Sequence, residues 1–319
     1  MNLKATLLAL LAFALYSTHD VVAKYLGATY SPFQIVFFAS LFSFPLVTMM
    51  LVRDPTQGNL RPVHPWWVAV RSLCVVIAPA AGFYAFANLP LAQVYAILFS
   101  SPLLITLMSI PILKEKVGLW RMLAVVIGLG GVMIVVRPGA TELNAGHAAA
   151  IITALSAALQ SVIVRKIGRE ERRVVLMLYP LLGSVAVMSV VLVFVYEPMP
   201  LIDLGSMAFV SLFGFCATLL LVYAYTIGEA ALVAPMQYSQ IIWAMIFGAL
   251  FFGETPDVAT LLGAAIIVAS GLFIIAREAM GGNSEQTPVL RTRSRGISPG
   301  SLRVSSAMRR PELTDKTDP

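Results

Sequence analysis

Apolar residues in this chain run in long blocks, interrupted by short clusters of charged residues, proline and glycine, from residue 5 to residue 277. The hydrocarbon core of a bilayer takes about 20 residues of α-helix. Ten blocks reach that length, near residues 5–23, 33–52, 66–88, 91–113, 119–136, 146–164, 174–196, 205–227, 230–252 and 258–276. The pattern predicts an all-α integral membrane protein with ten transmembrane helices. The first block follows a single Lys4, as a secretory leader would, but its apolar run is long and no small-residue cleavage site ends it. It is read as the first helix.

The blocks are not independent of one another. The stretch 84–137 returns as 223–277: at an offset of 139, Tyr84 falls on Tyr223, Ala92 on Ala231, Val94 on Val233, Ser100 on Ser239 and Glu115 on Glu254. One extra residue then brings Gly131 onto Gly271 and Arg137 onto Arg277. Near the start, "ALYSTHDVVAKYLG" resembles "ALSAALQSVIVRKIG", which sets Asp20 against Ser161 and Lys24 against Arg165. The pairing predicts an internal duplication, residues 1–137 and 138–277. Five spans per copy is an odd number, so the second copy enters the membrane upside down, the arrangement of inverted-repeat transporters. Residues 278–319 are rich in Gly, Ser, Thr, Pro and Arg and predict a disordered cytoplasmic tail.

Composition narrows the class further. Charged residues make up 12% of the chain and mean hydropathy is +0.85, whereas soluble domains are about a quarter charged. The net charge of +6 sits in short loops and the tail, which argues against a nucleic-acid partner. Arg53, Arg61, Lys114, Lys116, Arg121, Arg165, Lys166, Arg169, Arg172 and Arg173 cluster after spans two, four and six. Those loops are therefore predicted to be cytoplasmic, together with both termini. Cys74 and Cys216 lie within apolar spans and support neither a disulfide framework nor a zinc site. No P-loop, HExxH, GxSxG or paired-aspartate metal motif occurs, so no cofactor or metal is expected. The "GLGG" of Gly128 to Gly131 lies inside a span and reads as close helix packing.

An ionisable side chain within a span costs on the order of 2.5–3.5 kcal/mol to insert, which makes each one a functional candidate. His19 and Asp20 in the first helix are the foremost pair, suited to binding a cationic group or a transported proton; the structural alternative pairs Asp20 with Lys24 one turn on. Arg71 is read as snorkelling to the headgroups. Glu115 and Glu254 occupy equivalent loops and are assigned to holding helix ends. Tyr84 and Asn88 share a face, Ser101 aligns with Gln240, and Gln237, Gln240 and Trp243 follow helical spacing. With Gln160, Tyr179 and Tyr223 they predict a cavity that stacks on and hydrogen-bonds a substrate, or else polar glue between helices. Pro102 and Pro235 fall in corresponding helices, where each frees a backbone carbonyl and predicts a kink.

Taken together, a Tyr-Ala-aromatic signature, a Ser/Pro-bearing helix, a glutamate and a Gly-rich helix in each half resemble the drug/metabolite transporter superfamily, EamA-domain branch, over residues 5–277. The segments "HDVVAKYL" and "YAILFSSPLLITLMSIPILKEKVG" are most similar to bacterial members that import riboflavin or S-adenosylmethionine. Such relatives often carry an arginine early in the second helix where this chain has Ser40. The resemblance implies an inner-membrane secondary transporter that takes up a small organic metabolite by alternating access, through a cavity between spans one, three, four, six, eight and nine. The substrate and the lipid bilayer are the implied partners, with proton coupling and a homodimer compatible with the class. An exporter of the same fold is the alternative, and an intramembrane transferase acting on a lipid-linked substrate is a more distant one.

Overall fold

Hydrocarbon offers no water to backbone amides, so a chain this apolar bonds them internally, within helices. The computed structural model describes residues 2–52, 60–115, 117–138, 143–168, 170–227 and 233–280. Helices α1 (Asn2–Gly27), α2 (Pro32–Val52) and α3 (Pro65–Asn88) come first. They are followed by α4 (Leu91–Leu98), α5 (Ser101–Leu113), α6 (Leu119–Val136), α7 (Ala145–Ile167), α8 (Arg173–Val195) and α9 (Leu201–Ile227). A 3-10 turn (Ala234–Tyr238) then runs into α10 (Ser239–Phe252), and α11 (Val258–Met280) ends the described chain. The expected tail beyond residue 280, like Arg53, Lys116 and Arg169, lies outside the described residues.

Eight of these segments are long and apolar enough to cross a membrane, with α4 and α5 together forming one from Leu91 to Leu113. Of the two remaining expected spans, α2 has 21 residues, with the apolar stretch Pro32–Pro45, and α10 has 14 residues after its 3-10 turn. Outward faces are apolar, with Leu7, Leu11, Val193, Phe194, Leu250 and Phe251 all exposed. Trp66 and Trp120, exposed in the first turns of α3 and α6, suit the interfacial belt of a bilayer. The protein is a multi-pass membrane protein.

The helices of Pro102 and Pro235 are interrupted rather than kinked, with each proline in a first turn. Span four divides at Phe99 and Ser100, with Pro102 in the first turn of α5, and span nine changes from 3-10 to α at Tyr238 and Ser239, with Pro235 in the turn. A proline in a first helical turn sacrifices no intrahelical bond, because those amides have no acceptor anyway. Both helices also end alike. Lys114 and Gly253, 139 residues apart, cap α5 and α10 in the left-handed region with φ of 56° and 64°. Next to them, the amides of Glu115 and Glu254 bond back to the carbonyls of Ser109 and Gly248 at 3.4 and 2.9 Å.

Packing joins α1 to α9, α3 to α7, α6 to α11 and α2 to α8. The α6–α11 contact is made by glycines: a Cβ on Gly131 would lie 2.9 Å from the Gly263 carbonyl oxygen, and one on Gly263 2.6 Å from that of Gly131. Gly128 leaves room for Leu103 in the same way, so the "GLGG" segment is a packing surface, as its place within a span implies. Gly271 faces Tyr238, whose hydroxyl a Cβ would overlap. Backbones this close leave no space for larger side chains, and overpacking costs roughly 1–3 kcal/mol. Gly131→Leu should accordingly lower the melting temperature in detergent, while Gly130→Leu, at a position with open space around its Cβ, should leave it nearly unchanged.

Candidate functional site

A cavity opens among α1, α2, α3, α8 and α9, with about 760 Å³ of space, its open mouth included. Its wall on α3 is a single stripe, Arg71, Val75, Pro79 and Phe83, each four residues from the next and hence on one helical face. Ser40 and Ser43 come from α2, Pro180 and Ser184 from α8, Ser211 and Gly214 from α9, and His19 from α1. The serines tie the helices across the cavity. Ser40 and Ser184 hydroxyls lie 3.0 Å apart; Ser43 donates to the Ala39 carbonyl and so accepts from Ser211 at 2.8 Å.

The structure brings His19 and Asp20 together. His19 Nδ1 lies 2.7 Å from Asp20 Oδ1, which points the other edge of the imidazole toward the cavity, where Gly214 leaves it space. Asp20 is 1% exposed and accepts a further hydrogen bond from the Tyr95 hydroxyl. Tyr95, itself buried between Phe86 and Phe99, was not singled out by sequence. Lys24 does not pair with Asp20: its Nζ donates to the Leu89 carbonyl at 2.6 Å and meets Glu254 at 2.7 Å.

Of the ten residues expected to recognise substrate, His19 alone lines this cavity. Tyr84 and Tyr223 are 38% and 45% exposed, and Asn88 turns back along its own helix to the Tyr84 carbonyl at 2.8 Å. Ser101 bonds to the Leu98 carbonyl at the helix break. Gln160 and Gln240 are buried in α7 and α10. Gln237 lies in the 3-10 turn, out of helical register with Gln240, while Trp243 packs against Phe247 at 5.7 Å. Tyr179, beside the cavity-lining Pro180, is 37% exposed.

Arg71 requires a correction. The snorkelling reading places its guanidinium in the headgroups, yet it is 3% exposed and donates through one Nη to the Leu176 carbonyl, on the cavity wall. A signal existed in the spacing of Arg71 with Val75, Pro79 and Phe83. It identifies a face only once the inward side of α3 is known.

The glutamates do hold helix ends, and they do so between distant parts of the chain. At one end of the bundle, Glu254 pairs with Lys24 while its Oε2 accepts from the Leu91 amide at 2.9 Å, capping α4. At the other end, both Glu115 carboxylate oxygens meet the two Nη groups of Arg165, one at 3.1 Å. Sequence alignment of the two copies sets Lys24 against Arg165 and Glu115 against Glu254, so each carboxylate is paired with the cation of the opposite copy. Further pairs reinforce the ends: Arg137 with Asp257 in one, and His64 with Glu170 at 2.6 Å in the other.

A family model described as the EamA-like transporter family matches residues 3–137 and 144–276. An S-adenosylmethionine uptake transporter of Rickettsia bellii is 27% identical over 270 residues, covering 84% of this chain and 92% of that protein. A pseudopaline exporter of Pseudomonas aeruginosa is 27% identical over 267 residues, 82% of this chain and 92% of its own length. Human solute carrier family 35 member G1 is 32% identical over 212 residues, 61% of this chain and 58% of its own. A solved structure titled "Crystal structure of protein" superposes with a TM-score of 0.53 at 19% identity, covering 86% of this chain and 97% of that one.

Breaking a desolvated ion pair by removing one partner costs about 3–5 kcal/mol, because the other charge is left unanswered, whereas replacing both by apolar residues is far milder. Arg165→Met should therefore lower thermal stability strongly, and Arg165→Met combined with Glu115→Leu should recover much of the loss. Melting curves of the two singles and the double in one detergent give the coupling directly.

Proposed function

The chain belongs to the EamA-like transporter family, and from that premise we propose that it is a bacterial inner-membrane secondary transporter that takes up a small organic metabolite by alternating access. The membrane and the transporter class follow from the family and the fold; substrate, direction, coupling and cellular membrane are the proposal. The observation that carries it is the crossed pair of ion pairs, Glu254 with Lys24 and Glu115 with Arg165, at opposite ends of the bundle. A protein that opens alternately to its two sides needs a separable contact at each end.

The same observation supports ten crossings in two inverted repeats, 1–137 and 138–277. Replacing each span by its counterpart five places along turns the α1–α9 contact into the α3–α7 contact, and leaves α6–α11 and α2–α8 in place. That is the behaviour of a two-fold axis lying in the membrane plane. By the positive-inside rule the Glu115–Arg165 end, which carries Lys114, Arg121, Lys166 and Arg172, faces the cytoplasm together with both termini. The Glu254–Lys24 end then faces outward.

Within this reading His19 and Asp20 serve coupling. A buried carboxylate bonded to an imidazole and a phenol can hold or release a proton while the imidazole edge meets the cavity contents, so solute and proton compete for or share one site. Tyr84, Asn88, Ser101, Gln160, Tyr223, Gln237, Gln240 and Trp243 remain candidates for substrate contacts in a conformation that opens around them. The relatives' printed names support S-adenosylmethionine as the first compound to try; riboflavin and amino acids, which rest on the sequence resemblance, come next. The pseudopaline exporter keeps export as the second reading.

Proteoliposomes loaded at one pH and diluted into another, with radiolabelled candidates on either side, test substrate, direction and coupling together. Uptake of at least one candidate that responds to the pH gradient is expected, and Asp20→Asn should abolish that response. Unchanged rate and pH dependence in Asp20→Asn would remove Asp20 from the mechanism, and efflux without uptake would establish the exporter.

A further inference from the structure

Arg71 is a permanent cation buried in the membrane-spanning part of the bundle, and its protein contacts do not account for it. One Nη is bonded to the Leu176 carbonyl; Nε is buried and bonded to nothing among the described residues. Among the described residues no carboxylate is paired with it, whereas Lys24, Arg137 and Arg165 each meet one. A buried donor left open on a charged group calls for an acceptor from outside the protein. The guanidinium lines the cavity, where the hydroxyls of Ser40, Ser184, Ser43 and Ser211 cross in pairs. The bond between Ser40 and Ser184 needs only one of their two protons, so the other can turn toward an incoming oxygen.

We propose that Arg71 is an anion subsite, which binds the acid group, a carboxylate or a phosphate, of the transported solute. The planar fork of a guanidinium matches two oxygens of one acid group, and burial of Arg71, 3% exposed, strengthens the attraction. The substrate class is thereby an organic acid or zwitterion, with its acidic end at Arg71 and the remainder extending toward His19. The assignment deepens the transporter reading and rests on it for the identity of the occupant as a solute.

Thiol chemistry tests the subsite without a known substrate. In full-length protein with Cys74→Ala and Cys216→Ala, a single Ser40→Cys reports on the cavity through its labelling by two methanethiosulfonates, one bearing a sulfonate and one a trimethylammonium. Both reagents have the same warhead, so the ratio of their rates, each divided by that reagent's rate with a small free thiol, reads the field at the site; the preferences below are these normalised ratios. The sulfonate reagent should react faster by on the order of tenfold, Arg71→Gln should abolish or reverse the preference, and Arg71→Lys should keep part of it. Equal rates, a preference for the ammonium reagent, no labelling at all, or a preference that survives Arg71→Gln would overturn the subsite. The measurement is repeated in nanodiscs of phosphatidylcholine and of phosphatidylglycerol. Equal labelling in both is expected, while protection only by phosphatidylglycerol would assign the site to a lipid phosphate and overturn the solute assignment. Because labelling needs no transport, a protein that keeps the sulfonate preference but moves no candidate in proteoliposomes fails the transporter reading alone. Transport without the preference fails the subsite alone.

Discussion

In hydrocarbon a charge is tolerated only where another group answers it, and at the two ends of this bundle the answer comes from a remote part of the chain. Glu254 lies 230 positions from Lys24, and Glu115 lies 50 from Arg165. Neither partner is stable in its place without the other, so forming these pairs and bringing the bundle's ends together are one event. Because Glu254 also takes the Leu91 amide, the start of α4 depends on a residue that arrives late in the sequence. The same carboxylates hold the packing at both ends of the bundle.

The interrupted helices fit this scheme. A continuous helix through residues 91–113 would carry its register unbroken from one end to the other, whereas the joint at Phe99 and Ser100 lets α4 and α5 take separate directions. The joint at Tyr238 does the same for the 3-10 turn and α10, and Phe99 meets Tyr238 edge to face at 5.2 Å. The two joints therefore touch, and Gly271 makes room for the ring between them. A rigid framework of glycine-lined contacts such as α6–α11 surrounds this softer centre. That combination suits a protein that rocks about its middle.

Much of this was legible in the residues. Apolar block length located the helices, prolines located their breaks, and the glycine cluster located a close crossing, because each follows from local chemistry that membrane surroundings sharpen. The glutamates were read as keepers of helix ends from their repetition alone, and that is what they are. The internal alignment even set out the four charged residues that pair, Lys24, Arg165, Glu115 and Glu254. It did not say that they pair crosswise, since that depends on how two halves meet.

Faces were the part the sequence withheld. In a soluble helix, polarity separates the inner side from the outer one; in a membrane, lipid and core are both apolar, so the helical period carries little contrast. Tyr84, Asn88 and Tyr223 looked suited to a cavity and lie on more open surfaces, while Arg71, which looked suited to the headgroups, is enclosed. Tyr95 could have been any buried aromatic until α4 set its hydroxyl on Asp20. The sequence by itself determined the membrane class, the order of helices, their breaks and the family. Only the tertiary structure decided which side of each helix turns inward, because that choice is made by packing against partners far away in the chain and leaves no periodic mark on an apolar segment.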